Sequence, residues 1–248
     1  MTATPANSVA ADVARRHRRS AFWRGYRDCC PFILVVAPFG LLFGAVSTEA
    51  GLNLIETMTM TVLIIAGAAQ FTALALMQEQ APTLIVIIAA LAVNLRMAMY
   101  SAALVPHIGS ASLRTRALAA YFLVDQVFAV AVRRFELETD YSVLQKCAFI
   151  FGAAAAVVPF WVGFSLLGAL VGEAIPPAYS LDFAIPICFI AITAPMMRSF
   201  PHLVAGMVSM LVALLLAWMP YNLWLLVAAA VAMICGAQTE LWLKRRSA

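Results

Sequence analysis

The sequence predicts an all-α fold, a polytopic membrane helix bundle of about seven or eight transmembrane helices, some of them kinked or broken. Three observations carry that prediction. The 248 residues are 64% hydrophobic and only 11% charged, with mean hydropathy +0.94, whereas a soluble domain keeps nearer a quarter of its residues charged to face water. The apolar residues gather into runs that match the roughly 30 Å hydrocarbon core, which takes about 20 residues of helix to cross. Lys and Arg gather between those runs and at the chain ends. Composition therefore excludes a soluble protein and a disordered one.

Lipid offers the backbone no hydrogen-bond partners, so each run reads as a helix. The runs lie at 31–48, 57–77, 82–104, 117–132, 148–171, 184–197, 203–218 and 221–237. The fourth and sixth are short, so one of them reads as a broken or re-entrant segment. This divides the chain into a basic N-terminal tail, 1–30, a single transmembrane transport domain, 31–237, and a basic C-terminal tail, 238–248. The basic leader is too long before Pro31 for a cleaved signal peptide, and further spans follow. Arg15 to Arg27, interleaved with Phe22, Trp23 and Tyr26, reads as a cytoplasmic anchor on the lipid surface rather than a nucleic-acid arm.

Orientation follows from the basic residues, which stay inside. With eight crossings and the N-terminus inside, thirteen of the sixteen Lys and Arg fall on the inner side. Arg114 and Arg116 fall outside, and Arg96 falls within a span. The loop from Pro106 to Arg116 fits this scheme worst. Both termini are expected in the cytoplasm. Trp218, Tyr221 and Trp224 bracket the turn at Met219 and Pro220 as an interfacial aromatic belt would. An internal repeat is suggested by Val35-Val-Ala-Pro-Phe39 against Val157-Val-Pro-Phe160.

Chemistry of other kinds is not indicated. Cys29, Cys30, Cys147, Cys188 and Cys235 form no Cys-x-x-Cys pair, and His17, His107 and His202 have no metal-ligand spacing. No cofactor and no metal are expected. There is no nucleophile motif and no phosphate-cradling loop, so the chain is not read as an enzyme.

What remains is a small set of polar residues where they are expensive. A charge at mid-bilayer costs a few kcal/mol on insertion scales. Arg96 in the third run and Asp125 in the fourth are the two charged cases, with Asn94 and Gln70 as uncharged companions. Arg96 and Tyr100 share a helix face at i, i+4. Two readings stay open for the charged pair, a structural ion pair that locks two helices, and a site that meets substrate or a proton. Gly67 reads either as a close-packing residue or as a local unwinding. Pro38, Gly40, Gly44 and Pro186 are the other candidate kinks or breaks.

Several segments together resemble one family. Pro38-Phe-Gly-Leu-Leu-Phe-Gly44, Gly67-Ala-Ala-Gln-Phe71, Val93-Asn-Leu-Arg96 with Tyr100-Ser101, Asp125-Gln-Val-Phe-Ala129 and Leu181-Asp-Phe-Ala-Ile-Pro186 with Phe189-Ile-Ala191 are similar to the AzlC (YgaZ-like) family. The resemblance runs from about Tyr26 to Gly236 and departs at Met97 and Gln126. It implies the large subunit of a two-component exporter in the bacterial inner membrane. Its cargo would be valine, leucine, isoleucine and also methionine, and its partner a small AzlD-type membrane protein. Binding such an apolar zwitterion would fall to Arg96 for the carboxylate, Asp125 for the ammonium or a coupling proton, Gln70 and Asn94 for hydrogen bonds, and Tyr100, Phe39 and Phe71 nearby. Outside that reading stand a non-transporting subunit of another complex and a passive channel.

Overall fold

The computed structural model describes residues 5–172, 197, 199–219 and 223–247, and all secondary structure among them is helical. The apolar run 184–196 and Pro186 lie outside the described residues. The chain forms two compact units, Met1–Gly67 with Asn94–Ile175, and Ala68–Val93 with Pro176–Ala248.

In the first unit, α1 (Pro5–Cys29) leads through a 3-10 turn at Cys30–Phe32 into α2 (Ile33–Glu49). Pro31 in that turn has no N–H to give a regular helix, so the tighter turn passes it and the rod continues. The 34 residues from Arg16 to Glu49, about 51 Å at 1.5 Å per residue, are more than enough to span a bilayer core. The basic N-terminal stretch is thus the first half of a long helix.

That rod lies parallel to α8 (Val143–Gly172). Gly25 sits against the backbone of Phe149 and Ala153, Gly152 against Phe22, Gly44 against Ser165 and Ala169, Gly168 against Leu41, and Gly172 against Ala45 and Thr48. The register advances together on both helices, which fixes the parallel sense. A Cβ at Gly44 or Gly168 would enter the opposite backbone, so here glycine is what permits contact. In lipid the hydrophobic effect does not drive helices together, and such backbone-close packing does. Phe43, Val46, Phe149, Ile150 and Val157 complete the buried seam. Pro38 and Pro159 lie inside α2 and α8, and neither ends its helix.

After α2 the chain turns back. Asn53 and Glu56 form a reciprocal capping box that starts α3 (Leu54–Leu63), with Glu56 N donating to Asn53 Oδ1 at 3.0 Å and Asn53 N to Glu56 Oε2 at 2.8 Å. The second apolar run then breaks over Ile64, Ile65 and Ala66, and α4 (Gly67–Gln78) begins at the glycine. The fourth run breaks too. Ser112 caps α6 (Leu113–Tyr121), residues 122–124 uncoil with Val124 extended at φ −82°, ψ 164°, and α7 (Asp125–Leu137) starts with the aspartate.

Helix α5 (Thr83–Ile108) is 26 residues long, about 39 Å, and straddles the two units. Its second half runs beside α7 and parallel to it. Arg96 meets Asp125, Tyr100 stacks on Phe128 with ring centroids 4.2 Å apart, and His107 meets Phe135 at 5.3 Å. An antiparallel arrangement would be expected of two neighbouring crossings; the difference arises because α6 is the returning limb. Lys146 at the start of α8 reaches His107 Nδ1 at 3.3 Å, so α5 and α7 end where α8 begins. The α6–α7 hairpin therefore leaves from and comes back to one end of the unit.

In the second unit, α9 (Phe200–Leu215) and α10 (Leu223–Ser247) pair closely, with Gly236 facing Ala205 and the Pro201 carbonyl. The C-terminal basic residues continue α10. Lys244 pairs with Glu240 at 2.8 Å, and the Arg246 guanidinium lies 4.2 Å over the Trp242 ring.

Candidate functional site

Arg96 is the fourteenth of the 26 residues of α5, so an apolar helix long enough to cross carries its one cation at mid-length. Its Nη1 lies 2.8 Å from Asp125 Oδ2. Asp125 occupies the first position of α7, where unpaired backbone N–H groups and the helix dipole also favour a carboxylate. Arg96 and the helix start together stabilise a charge that lipid alone would reject. The side chains keep 28% and 37% of their surface exposed, so the pair is not sealed in a dry core. Arg96 Nε and Asp125 Oδ1 are buried atoms with no hydrogen-bond partner.

Above this pair the two interrupted segments meet. The Tyr121 hydroxyl, last residue of α6, donates to the carbonyl of Val62 near the end of α3. That carbonyl belongs to a terminal turn whose acceptors have no intrahelical partners, and Tyr121 satisfies one of them.

At the other end of α7 is a second, more extensive charge cluster. Arg134 donates to Asp28 Oδ2 at 2.6 Å and to Glu138 Oε1 at 2.8 Å, while Arg24 reaches Glu138 Oε2 at 3.4 Å and the Tyr141 hydroxyl at 3.1 Å. The Asp28 hydrogen bond is the main reason Arg134 holds its proton more firmly than usual. Glu138 is held below the ordinary carboxylate range, first by a hydrogen bond from Tyr141 and then by Arg134. An open hollow of about 300 Å³ lies here, lined by Asp28, Val130, Arg133, Arg134 and Leu137.

Of the residues singled out by sequence, Arg96, Asp125 and Tyr100 come together. Asn94, two residues from Arg96, lies about 200° round the helix by its 3.6-residue period, and its Oδ1 is buried and unpartnered. Phe39 lies against Trp161, ring centroids 6.1 Å apart, and against Gly67. Gly40 and Gly44 are contact points with α8. Gln70 and Phe71 belong to the second unit, where both are buried and the Gln70 amide has no hydrogen-bond partner. Sequence reasoning missed Tyr121, Trp161 and Ser165. Trp161 Nε1 and Ser165 Oγ are also buried without partners, and neither stood out in so apolar a run. Among the described residues no cluster of His, Cys, Asp or Glu could hold a metal ion.

A polar pair at mid-length of an apolar helix, flanked by broken helices, belongs to a membrane protein. The family described as AzlC protein matches residues 31–175, well over half of the chain. The chain belongs to the AzlC family. Among its relatives, the inner membrane protein YgaZ of Escherichia coli K12 is 24% identical over 90% of both chains. An uncharacterized membrane protein of Archaeoglobus fulgidus is 28% identical over 73% of this chain and 78% of its own. One from Helicobacter pylori strain 26695 is 28% identical over 61% and 66%. No solved structure matches. The AzlC match takes in Arg96, Asp125, both helix breaks and the α2·α8 seam.

Proposed function

We propose that this AzlC-family membrane protein is a secondary transporter that exports branched-chain amino acids and methionine from the bacterial cytoplasm. It would be driven by the proton gradient and work as the large subunit beside a small AzlD-type partner. The observation that carries this reading is the Arg96–Asp125 pair, midway along α5, beside a helix break and not sealed from its surroundings. An apolar zwitterion needs a cation for its carboxylate and an acceptor for its ammonium. Arg96 Nε and Asp125 Oδ1, which have no protein partner, are one donor and one acceptor of those kinds. Tyr100 and Phe128 supply an aromatic wall.

The same reading sets the topology. If α2, α5 and α8 cross, α6–α7 is a re-entrant hairpin on the side where α8 begins. Arg114 and Arg116 then join the basic side. With 184–197 kept as a crossing, fifteen of the sixteen Lys and Arg lie in the cytoplasm with both termini, and Arg96 is the exception. The poorly fitting loop after Pro106 is thereby accounted for.

The test is efflux of labelled leucine from cells lacking endogenous exporters, with the chain expressed alone and with the small membrane protein encoded beside it. Efflux that collapses with an uncoupler, and is lost in Arg96→Ala and Asp125→Asn at normal membrane levels, is expected. Flux indifferent to the gradient indicates a channel, and unchanged amino acid accumulation a scaffold.

A further inference from the structure

We propose that the α6–α7 hairpin is the gate of the transport path, hinged at its base and released at its tip by a zwitterion; this rests on the export reading above. The two ends of the hairpin are held unequally. At the base, Arg134 is shared between Asp28 of α1 and Glu138, and Glu138 is also reached by Arg24. Lys146 and His107 close the same end from α8 and α5. At the tip the polar contacts among the described residues are one ion pair, Arg96–Asp125, and one hydrogen bond, from Tyr121 to the Val62 carbonyl, with the Tyr100–Phe128 ring stack beside them. Between tip and base, Asp125 to Arg134 is uninterrupted helix of about 13 Å, which moves as one piece. The uncoiled residues 122–124 supply the joint between the two limbs. The tip is the end that can leave.

A zwitterion is suited to release it. Its carboxylate can take the place of Asp125 on Arg96 while its ammonium takes the place of Arg96 on Asp125. The pair then opens with both protein charges still compensated. A ligand with a carboxylate alone would leave Asp125 unpaired, and one with an ammonium alone would leave Arg96 unpaired, a cost that partial exposure reduces but does not remove. The hairpin therefore discriminates by charge pattern, admitting free amino acids and refusing 2-oxo acids or amines with the same side chain. Tyr121 is a positioning residue, since it acts on the tip and not on the ligand.

Amide hydrogen exchange of the full chain in lipid vesicles tests both halves. For the gate, Tyr121→Phe is expected to speed exchange at 121–128 at least threefold and leave 130–138 unchanged, and Asp28→Asn to do the reverse. Equal exchange at the tip in wild type and Tyr121→Phe overturns the gate. For its release, leucine is expected to speed exchange at 121–128, and 4-methyl-2-oxopentanoate and isopentylamine to have no effect. Acceleration by either single-charge analogue, or none by leucine in vesicles that export it, overturns release by a zwitterion. Absence of leucine export alongside a tip opened by Tyr121→Phe overturns the export reading, and with it the hairpin's role in a transport path, while the hinge at its base stands.

Discussion

Arg96 Nη1 and Asp125 Oδ2 lie 2.8 Å apart, one at the middle of α5 and the other at the first residue of α7. Each is where the other's charge can be compensated, and each is accessible enough to exchange partners. A lock and a transport site share that geometry, and they differ in what an apolar replacement does.

The double variant Arg96→Met/Asp125→Leu separates them. Replacing an ion pair by apolar side chains is commonly neutral or better for stability, whereas removing one partner costs up to about 3–5 kcal/mol when the pair is buried and less at this partial exposure. The double variant is expected to melt in detergent within a few degrees of wild type and to export nothing. Normal export by it would make the pair a lock.

Gly44 and Gly168 are predicted to tolerate no side chain. Because a Cβ at either position meets the facing backbone, Gly168→Ala should separate α2 from α8 and cost about 1–3 kcal/mol, the range for an overpacked core. Gly163, whose Cβ would meet nothing within 4 Å, should accept alanine unchanged. Thermal unfolding of both variants in the same detergent is the check.

The base cluster is expected to weaken on acidification. Glu138 has its acid form disfavoured in the fold, so its contribution is present above the unfolded carboxylate pKa and fades as pH falls through its own lower value. The side chain keeps 32% of its surface exposed, so solvent screens the interaction and the effect should be small. Unfolding midpoints between pH 7 and pH 3 should converge for wild type and Glu138→Gln at the acid end, and a constant gap would refute this.

The proposed re-entrant placement of the α6–α7 hairpin makes a topological prediction. An epitope inserted between Gly109 and Ser112 should be recognised in inside-out vesicles and not in intact spheroplasts, on the same side as the N-terminus. Recognition from the outer side would restore a full crossing at 117–132.

Much of this was legible in the sequence. Hydropathy marked the helices, because apolar length is a local property that lipid enforces directly. The cost of charge in lipid marked Arg96 and Asp125 without any structure, and Gly40-x-x-x-Gly44 already offered a flat face. The break at Gly67 stood open as one of two readings.

What the tertiary structure alone decided is where chains of good helix stop being helix. Residues Phe122, Leu123 and Val124 contain neither glycine nor proline, and nothing local forbids a helix through them. They uncoil because the neighbouring groups compensate for it: Tyr121 bonds to the Val62 carbonyl, 59 residues away, and Arg96 steadies Asp125 at the new helix start. Those compensations come from residues distant in the chain, so the same apolar run reads as a crossing from its own composition and becomes a hairpin only when its neighbours are in place.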